Sequence, residues 1–179
     1  YRDALRIMDL GQSESPLQGS FAAGGFSSVW GAAALPFRAV DIQDWPVSRA
    51  ELQPHYQSIE RWLGFSAEAD DLAAFFPSFS EDAQALPLSR QAAHLWEVLG
   101  RNRARLAEAQ IHFGRARLAV NQREQACRRC ALCLFGCPYG IIYNAASSLA
   151  DLRRRFPQFE YRPGLALEAL REEGDEVVG

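Results

Sequence analysis

The chain has 179 residues, is 48% hydrophobic and 23% charged, and carries a formal net charge of −3. This is an ordinary globular composition, long enough to bury a sizeable core in one domain or a little more. The slightly acidic balance argues against a dedicated nucleic-acid binder, and no apolar run approaches the length of a membrane span.

All 19 basic residues are arginine and threonine is absent, which reads as coding bias rather than chemistry. The chain opens at Tyr1 without an initiator methionine and closes on "EEGDEVVG", a strand cut as it begins. The expectation is a stretch of a longer polypeptide whose targeting signal, if any, lies outside view.

Residues 4–10, "ALRIMDL", read as a short strand that gives way to a polar loop. Residues 21–37, "FAAGGFSSVWGAAALPF", are rich in small side chains and include Gly24-Gly25, so their backbone can approach another backbone or a ligand closely. Ser48 and Glu51 form a capping box, with Val47 and Leu52 as its hydrophobic staple. Pro54 suits a first helical position better than an interior one, which predicts a turn handing over to a helix at 54–63. Tyr56, Ile59, Trp62 and Leu63 share a face of that helix, and Gly64 ends it.

Residues 65–88 show no period and read as irregular. A second helix is expected from Ser89 to about Ala109, with Ala92, Leu95, Trp96, Leu99 and Leu106 at helical spacing. "IHFGRARLAV", residues 111–120, alternates as a strand does. A helix opens near Asn144, with Leu149, Leu152 and Phe156 on one face, and stops at Pro157. The tail reads as a strand and then a hairpin turning at Glu173-Gly174-Asp175.

All four cysteines, Cys127, Cys130, Cys133 and Cys137, fall within eleven residues, and Pro138 follows the last. The spacing C-x2-C-x2-C-x3-C-P is the ligand run of bacterial iron–sulfur ferredoxins. Two-residue gaps let a looping backbone deliver successive thiolates to neighbouring corners of one cluster, and Pro138 keeps the chain from folding back into them. Arg128 and Arg129 are expected to lower the thiol pKa values and to offset a negative cluster. In two-cluster ferredoxins the fourth cysteine serves the other cluster, so a [4Fe–4S] cube here needs Cys137 to return to the same one; a [3Fe–4S] cluster on three of the four is the variant. Structural zinc and reduced packing cysteines stay open as alternatives, although zinc sites usually use two separated ligand pairs. Disulfides among them are part of the same alternative but would require an oxidising compartment, for which nothing visible argues; the expected location is cytoplasmic.

"GGFSSVWGAAALPF", then "DWPVSRAELQPHY", then "CALCLFGCPYG" resemble, in that order, segments of the glucose–methanol–choline (GMC) family of flavoprotein oxidoreductases. The likeness is nearest to the pyranose-oxidase and sugar-dehydrogenase branch. It covers nearly the whole chain, although the family's G-x-G-x-x-G strand–helix unit and its catalytic histidine segment have no counterpart. His55, His94 and His112 match no family catalytic position and read as surface or packing residues.

The resemblance implies a partly helical, α+β central fragment of a larger two-domain FAD-binding α/β flavoprotein. Residues 1–38 would belong to the FAD-binding domain, 39–120 to the substrate domain, 121–143 to the cysteine-rich loop, and 144–179 to a helix and hairpin returning to the FAD-binding domain. It implies FAD contacts from Gly24, Gly25, Ser27, Ser28, Trp30 and Gly31, and a non-covalent flavin, because Val29 fills the position of the branch's flavin-linking histidine. The activity implied is oxidation of an alcohol or sugar hydroxyl by hydride transfer. An iron–sulfur cluster would pass electrons to a protein or quinone, with the remaining segments of the same enzyme as partners. A non-enzymatic electron-transfer module carrying only the cluster is the rival.

Overall fold

The computed structural model describes residues 19–81, 83–123, 125–165 and 169–178, so the strand expected over 4–10 lies outside the described residues. Among them it forms a helix-rich α+β arrangement with four α-helices and a single two-stranded sheet. The chain divides after Ser147 into two compact units.

In the first unit, helix α1 spans Arg49–Leu63 and begins five residues before the expected start at Pro54. The Glu51 carboxylate accepts from the Ser48 N–H at 2.8 Å, and Ser48 Oγ accepts from the Glu51 N–H at 3.3 Å. This reciprocal cap nucleates the helix upstream of the proline. Pro54 then sits inside the helix, where its ring removes one backbone hydrogen bond without ending the run.

The apolar face expected on α1 is largely open, with Ile59 48% and Trp62 65% exposed. The residue that α1 buries is Glu60, whose Oε2 accepts from Ser78 Oγ (3.0 Å) and from the Phe79 and Ser80 N–H groups (both 2.8 Å). One carboxylate thereby satisfies the donors of a whole turn in the irregular stretch. Among its described residues that stretch contains a single helical turn, Asp71–Ala74.

The helix expected over 89–109 is two helices, α2 (Arg90–Arg101) and α3 (Arg103–Glu108). Asn102 separates them: its N–H donates to Leu99 O (3.1 Å), its Nδ2 donates to Val98 O (2.8 Å), and its carbonyl accepts from the Leu106 N–H (2.9 Å). An asparagine side chain competes in this way with helical backbone bonds.

The strand expected over 111–120 is reduced to a short ribbon. Leu118 exchanges backbone hydrogen bonds with Ser66 (2.8 and 3.0 Å), while the Ala34 N–H donates to Arg117 O and the Ala119 N–H to Ala32 O. Upstream of Arg117 the ladder stops because the Arg115 N–H donates to the Asp70 side chain, at 2.6 Å, instead of to a neighbouring strand. The core is small. Among the described residues Ala32, Val120, Ile141 and Ile142 form its central cluster, with Trp30, Leu86, Leu118, Cys127 and Cys137 packed around them, and Ile42, Phe65, Ala67 and Ala119 are also buried.

Arg117 is buried beside this core, with Nη2 2.8 Å from Asp70 Oδ1 and Nη1 donating to Asp70 Oδ2 at 3.0 Å. Its Nε donates to Phe76 O (2.9 Å) and Nη1 also to Arg115 O (2.7 Å). Asp70 further accepts from the Leu72 N–H at 3.0 Å. Burial alone would raise the Asp70 carboxyl, but Arg117 and the Arg115 and Leu72 N–H groups together hold it below its ordinary value.

The division between the units falls within α4, Ala145–Arg155, which runs close to the helix expected from Asn144. In the second unit Asp151 pairs with Arg154 (2.5 Å) and Arg155 (3.2 Å) along that helix. Strands β1 (Glu172–Glu173) and β2 (Glu176–Val177) pair antiparallel. Glu173 faces Glu176, so the turn is Gly174-Asp175 alone, one residue shorter than expected. No separate strand precedes the hairpin among the described residues of this unit.

Replacing Arg117 with alanine should cost about 3–5 kcal/mol in denaturant unfolding, because it strands a buried carboxylate. The Asp70 contribution is present above the unfolded carboxyl pKa, about 3.9, and is lost as pH falls through the lower folded value. Acid unfolding of the native chain should therefore steepen below that pH, and the steepening should be absent in Asp70→Asn.

Candidate functional site

The cysteines lie on a loop whose base is closed by the ribbon. The Asn121 N–H donates to Ile141 O at 2.8 Å and the Tyr143 N–H to Ala119 O at 3.1 Å, with Val120 bridging to Ile142. The Cys133–Phe135 turn begins at the third cysteine, and the Gly140 N–H donates back to Cys137 O at 3.1 Å.

The four thiols are free; Cys127 and Cys137 are half-buried against the core, and Cys130 and Cys133 are exposed. All four line one cavity of about 60 Å³, together with Arg128, Arg129 and apolar residues including Leu86, Leu118 and Ile142. Such a volume holds several waters or a compact inorganic group, since one water needs only about 10–15 Å³ by the same measure.

Two non-glycine residues in the loop adopt the left-handed conformation, Arg129 (φ +56°) and Ala131 (φ +59°), on either side of Cys130. Each costs roughly 1–2 kcal/mol against ordinary backbone. The Arg129 N–H donates to Cys127 Sγ at 3.4 Å, and its guanidinium donates to Leu88 O at 3.0 Å. Burial acts to raise the Cys137 thiol, but the backbone N–H groups of Tyr139, Ile141, Ile142 and Gly140 outweigh it and hold Cys137 below the ordinary thiol range. At Cys137 the lowering comes from backbone donors, not from the two arginines on which the sequence reading relied.

The second sequence feature meets the first here. Gly136, at φ +95°, lies against Ser28 O, where a Cβ would stand 3.0 Å from that oxygen. Ser27, Ser28 and Trp30 share a cavity of about 110 Å³ with Cys133, Cys137, Asn144 and Ser147.

The Gly24-Gly25 turn also docks on the start of α4. A Cβ on Gly24 (φ +84°) would fall 2.6 Å from Ala146 N. Ser27 Oγ accepts from the Ala145 N–H (2.9 Å) and Asn144 Oδ1 from the Ala146 N–H (2.8 Å), so the first donors of α4 are already taken. Ser28 Oγ donates to Ala23 O at 3.2 Å, and Trp30 Nε1 to Tyr143 O at 2.8 Å. Gly25 has open space at its Cβ position, and Gly31 lines the cysteine cavity.

Four thiols around one cavity, with the Arg129 N–H donating to Cys127 Sγ, are a donor set that fits an iron–sulfur cluster. Among the described residues no three Cys, His, Asp or Glu side chains gather around one metal-ion position. A tetrahedral zinc would require sulfurs roughly 3.8 Å apart, from Zn–S bonds of about 2.3 Å. A flavin fits less well: its expected contacts Ser27, Ser28 and Trp30 are engaged internally. The cavity that those three line, about 110 Å³, is also well short of the roughly 300 Å³ at which organic ligand pockets begin.

His55, His94 and His112 are exposed, and His112 packs on Phe75 with ring centroids 4.8 Å apart. Sequence reasoning missed the backbone donors around Cys137, which side-chain identity does not encode. It also missed the role of Asn144, although an asparagine just before a helical run is a capping signal. Neither the family models nor the curated proteins match this chain.

When the metal-free chain is labelled with iodoacetamide and mapped by mass spectrometry, Cys137 should reach half its limiting rate below pH of about 8.5, the ordinary thiol value. A midpoint at or above that pH would contradict the donor arrangement around its sulfur.

Proposed function

We propose that the chain holds an iron–sulfur cluster on Cys127, Cys130, Cys133 and Cys137 and serves as the electron-relay element of an FAD-dependent oxidoreductase of the GMC type, acting on an alcohol or sugar hydroxyl. The observation that carries the cluster reading is the gathering of all four thiols around one small cavity that contains Arg128 and Arg129. When bound, such a cluster supplies one-electron transfer. The chain's own residues have definable tasks: Cys127 and Cys137 anchor the loop to the core, N–H groups hold negative charge on their sulfurs, and apolar walls limit water.

The flavin half of the reading rests on the ordered resemblance of the three segments, and on it the flavin is held mainly by other segments of the same enzyme. A second reading is favoured by a specific observation. Ser27 and Asn144 occupy the first backbone donors of α4, which suits a cluster-bearing electron-transfer module without flavin.

Anaerobic reconstitution of the chain with iron and sulfide should give brown protein with the two in near-equal amounts. Cys130→Ser should bleach it or convert it to a three-iron spectrum. Colourless protein with four titratable thiols after reconstitution defeats the cluster reading. FAD added to the reconstituted chain and its parent polypeptide separates the two functional readings: binding only in the parent supports the oxidoreductase, and binding in neither supports the module. Flavin recovered from the parent should be released completely by acid, because Val29 offers no nucleophile for covalent attachment.

A further inference from the structure

Apart from the cysteine loop, a cleft of about 290 Å³ lies between α1 and residues 33–36, walled by Leu35, Tyr56, Ile59, Leu63 and Phe65. Glu60 is also part of its lining, although the residue is only 6% exposed. Its Oε2 is saturated by the three donors of the 78–80 turn, whereas Oε1 receives no hydrogen bond from any described residue. No arginine or histidine among the described residues pairs with this carboxylate either. A buried carboxylate without a counter-cation is unfavourable, and an ammonium group brought to it forms a charge-assisted hydrogen bond.

We propose that this cleft binds a small apolar primary amine as its ammonium ion, the head group donating to Glu60 Oε1 and the hydrocarbon body lying against Leu35, Ile59, Leu63 and Phe65. The volume lies at the lower edge of ligand-pocket sizes, which limits the body to a short chain or a single ring. Burial raises the Glu60 carboxyl above its ordinary range despite the three donors, consistent with a carboxylate that lacks a cation. Aliphatic ammonium groups stay protonated at neutral pH, so the charge is available to meet it.

Calorimetric titration of the full 179-residue chain with hexylamine, 1-hexanol and hexanoate at neutral pH tests the assignment. Hexylamine should bind about tenfold or more tightly than hexanol, the value of one charge-assisted bond over a neutral one, and hexanoate should bind weakest. Glu60→Gln should bring the amine to the affinity of the alcohol. Equal affinities for amine and alcohol, an amine affinity unchanged by Glu60→Gln, or no amine binding at all would each overturn the proposal. Should Glu60→Gln fail to fold, Ile59→Trp fills the open side of the cleft and must abolish amine binding at an unchanged melting temperature; retained binding overturns it equally. The cysteine loop contributes nothing to this cleft, so the outcome is independent of the cluster reading.

Discussion

The buried pair of Arg117 and Asp70 is the constraint on which the first unit depends. Among the described residues four buried hydrophobic side chains make the central cluster and four more, Ile42, Phe65, Ala67 and Ala119, are buried outside it, few for so much irregular chain. Arg117 supplies what the cluster does not. Its guanidinium ties Asp70, the Phe76 carbonyl and the Arg115 carbonyl into one network. A buried ion pair contributes little net stability once desolvation is counted, but removing either partner is costly. The pair therefore acts mainly on specificity: it fixes where the 117–120 ribbon lies. Ala32, Ser66 and Tyr143 then bond to that ribbon in turn.

The cysteine loop inherits its position from the same ribbon. Its base is held by backbone bonds at Asn121 and Tyr143, next to the buried core. Its middle carries two left-handed non-glycine residues around Cys130. Strain of this kind persists where the surroundings over-determine it, and it concentrates at ligand sites. Arg129 gains something from its conformation, since its N–H reaches Cys127 Sγ and its side chain reaches Leu88 O.

What could be read in the sequence was what short-range chemistry determines. The Ser48–Glu51 cap, the stop at Gly64, the helix after Asn144 and the irregular stretch around Asp71 all depend on neighbours within a turn. The errors arose where a distant partner decided. Residues 111–116 alternate like a strand, but Asp70, 45 residues away, takes the Arg115 N–H. Ile59 and Trp62 have the spacing of a core face, yet Glu60 found three donors in the 78–80 turn and was buried in their place. At the site, the spacing of the cysteines was legible and their shared cavity followed from it. The Gly24-Gly25 pair was legible only as a need for close approach. Its partner, the start of α4 at Ala146, could not be distinguished from a cofactor by composition.

The electrostatics of the cysteine cavity run against those of the chain as a whole. The chain is net acidic, at −3, yet the cavity is lined by Arg128 and Arg129 and, among the described residues, by no aspartate or glutamate. Apolar walls lower the local dielectric and strengthen every charge interaction within them. Two cations and the Arg129 N–H at Cys127 Sγ therefore favour negative charge at this one place, and the Cys137 thiol is held below its ordinary value. Packing thiols have no use for such a field, because burial alone keeps a thiol neutral and inert. A group that brings four thiolates together and gains a further electron on reduction does have use for it, and the N–H donors and charges around its sulfurs would raise its potential. On the proposed reading, this is the field that a redox group at the cysteine run would use.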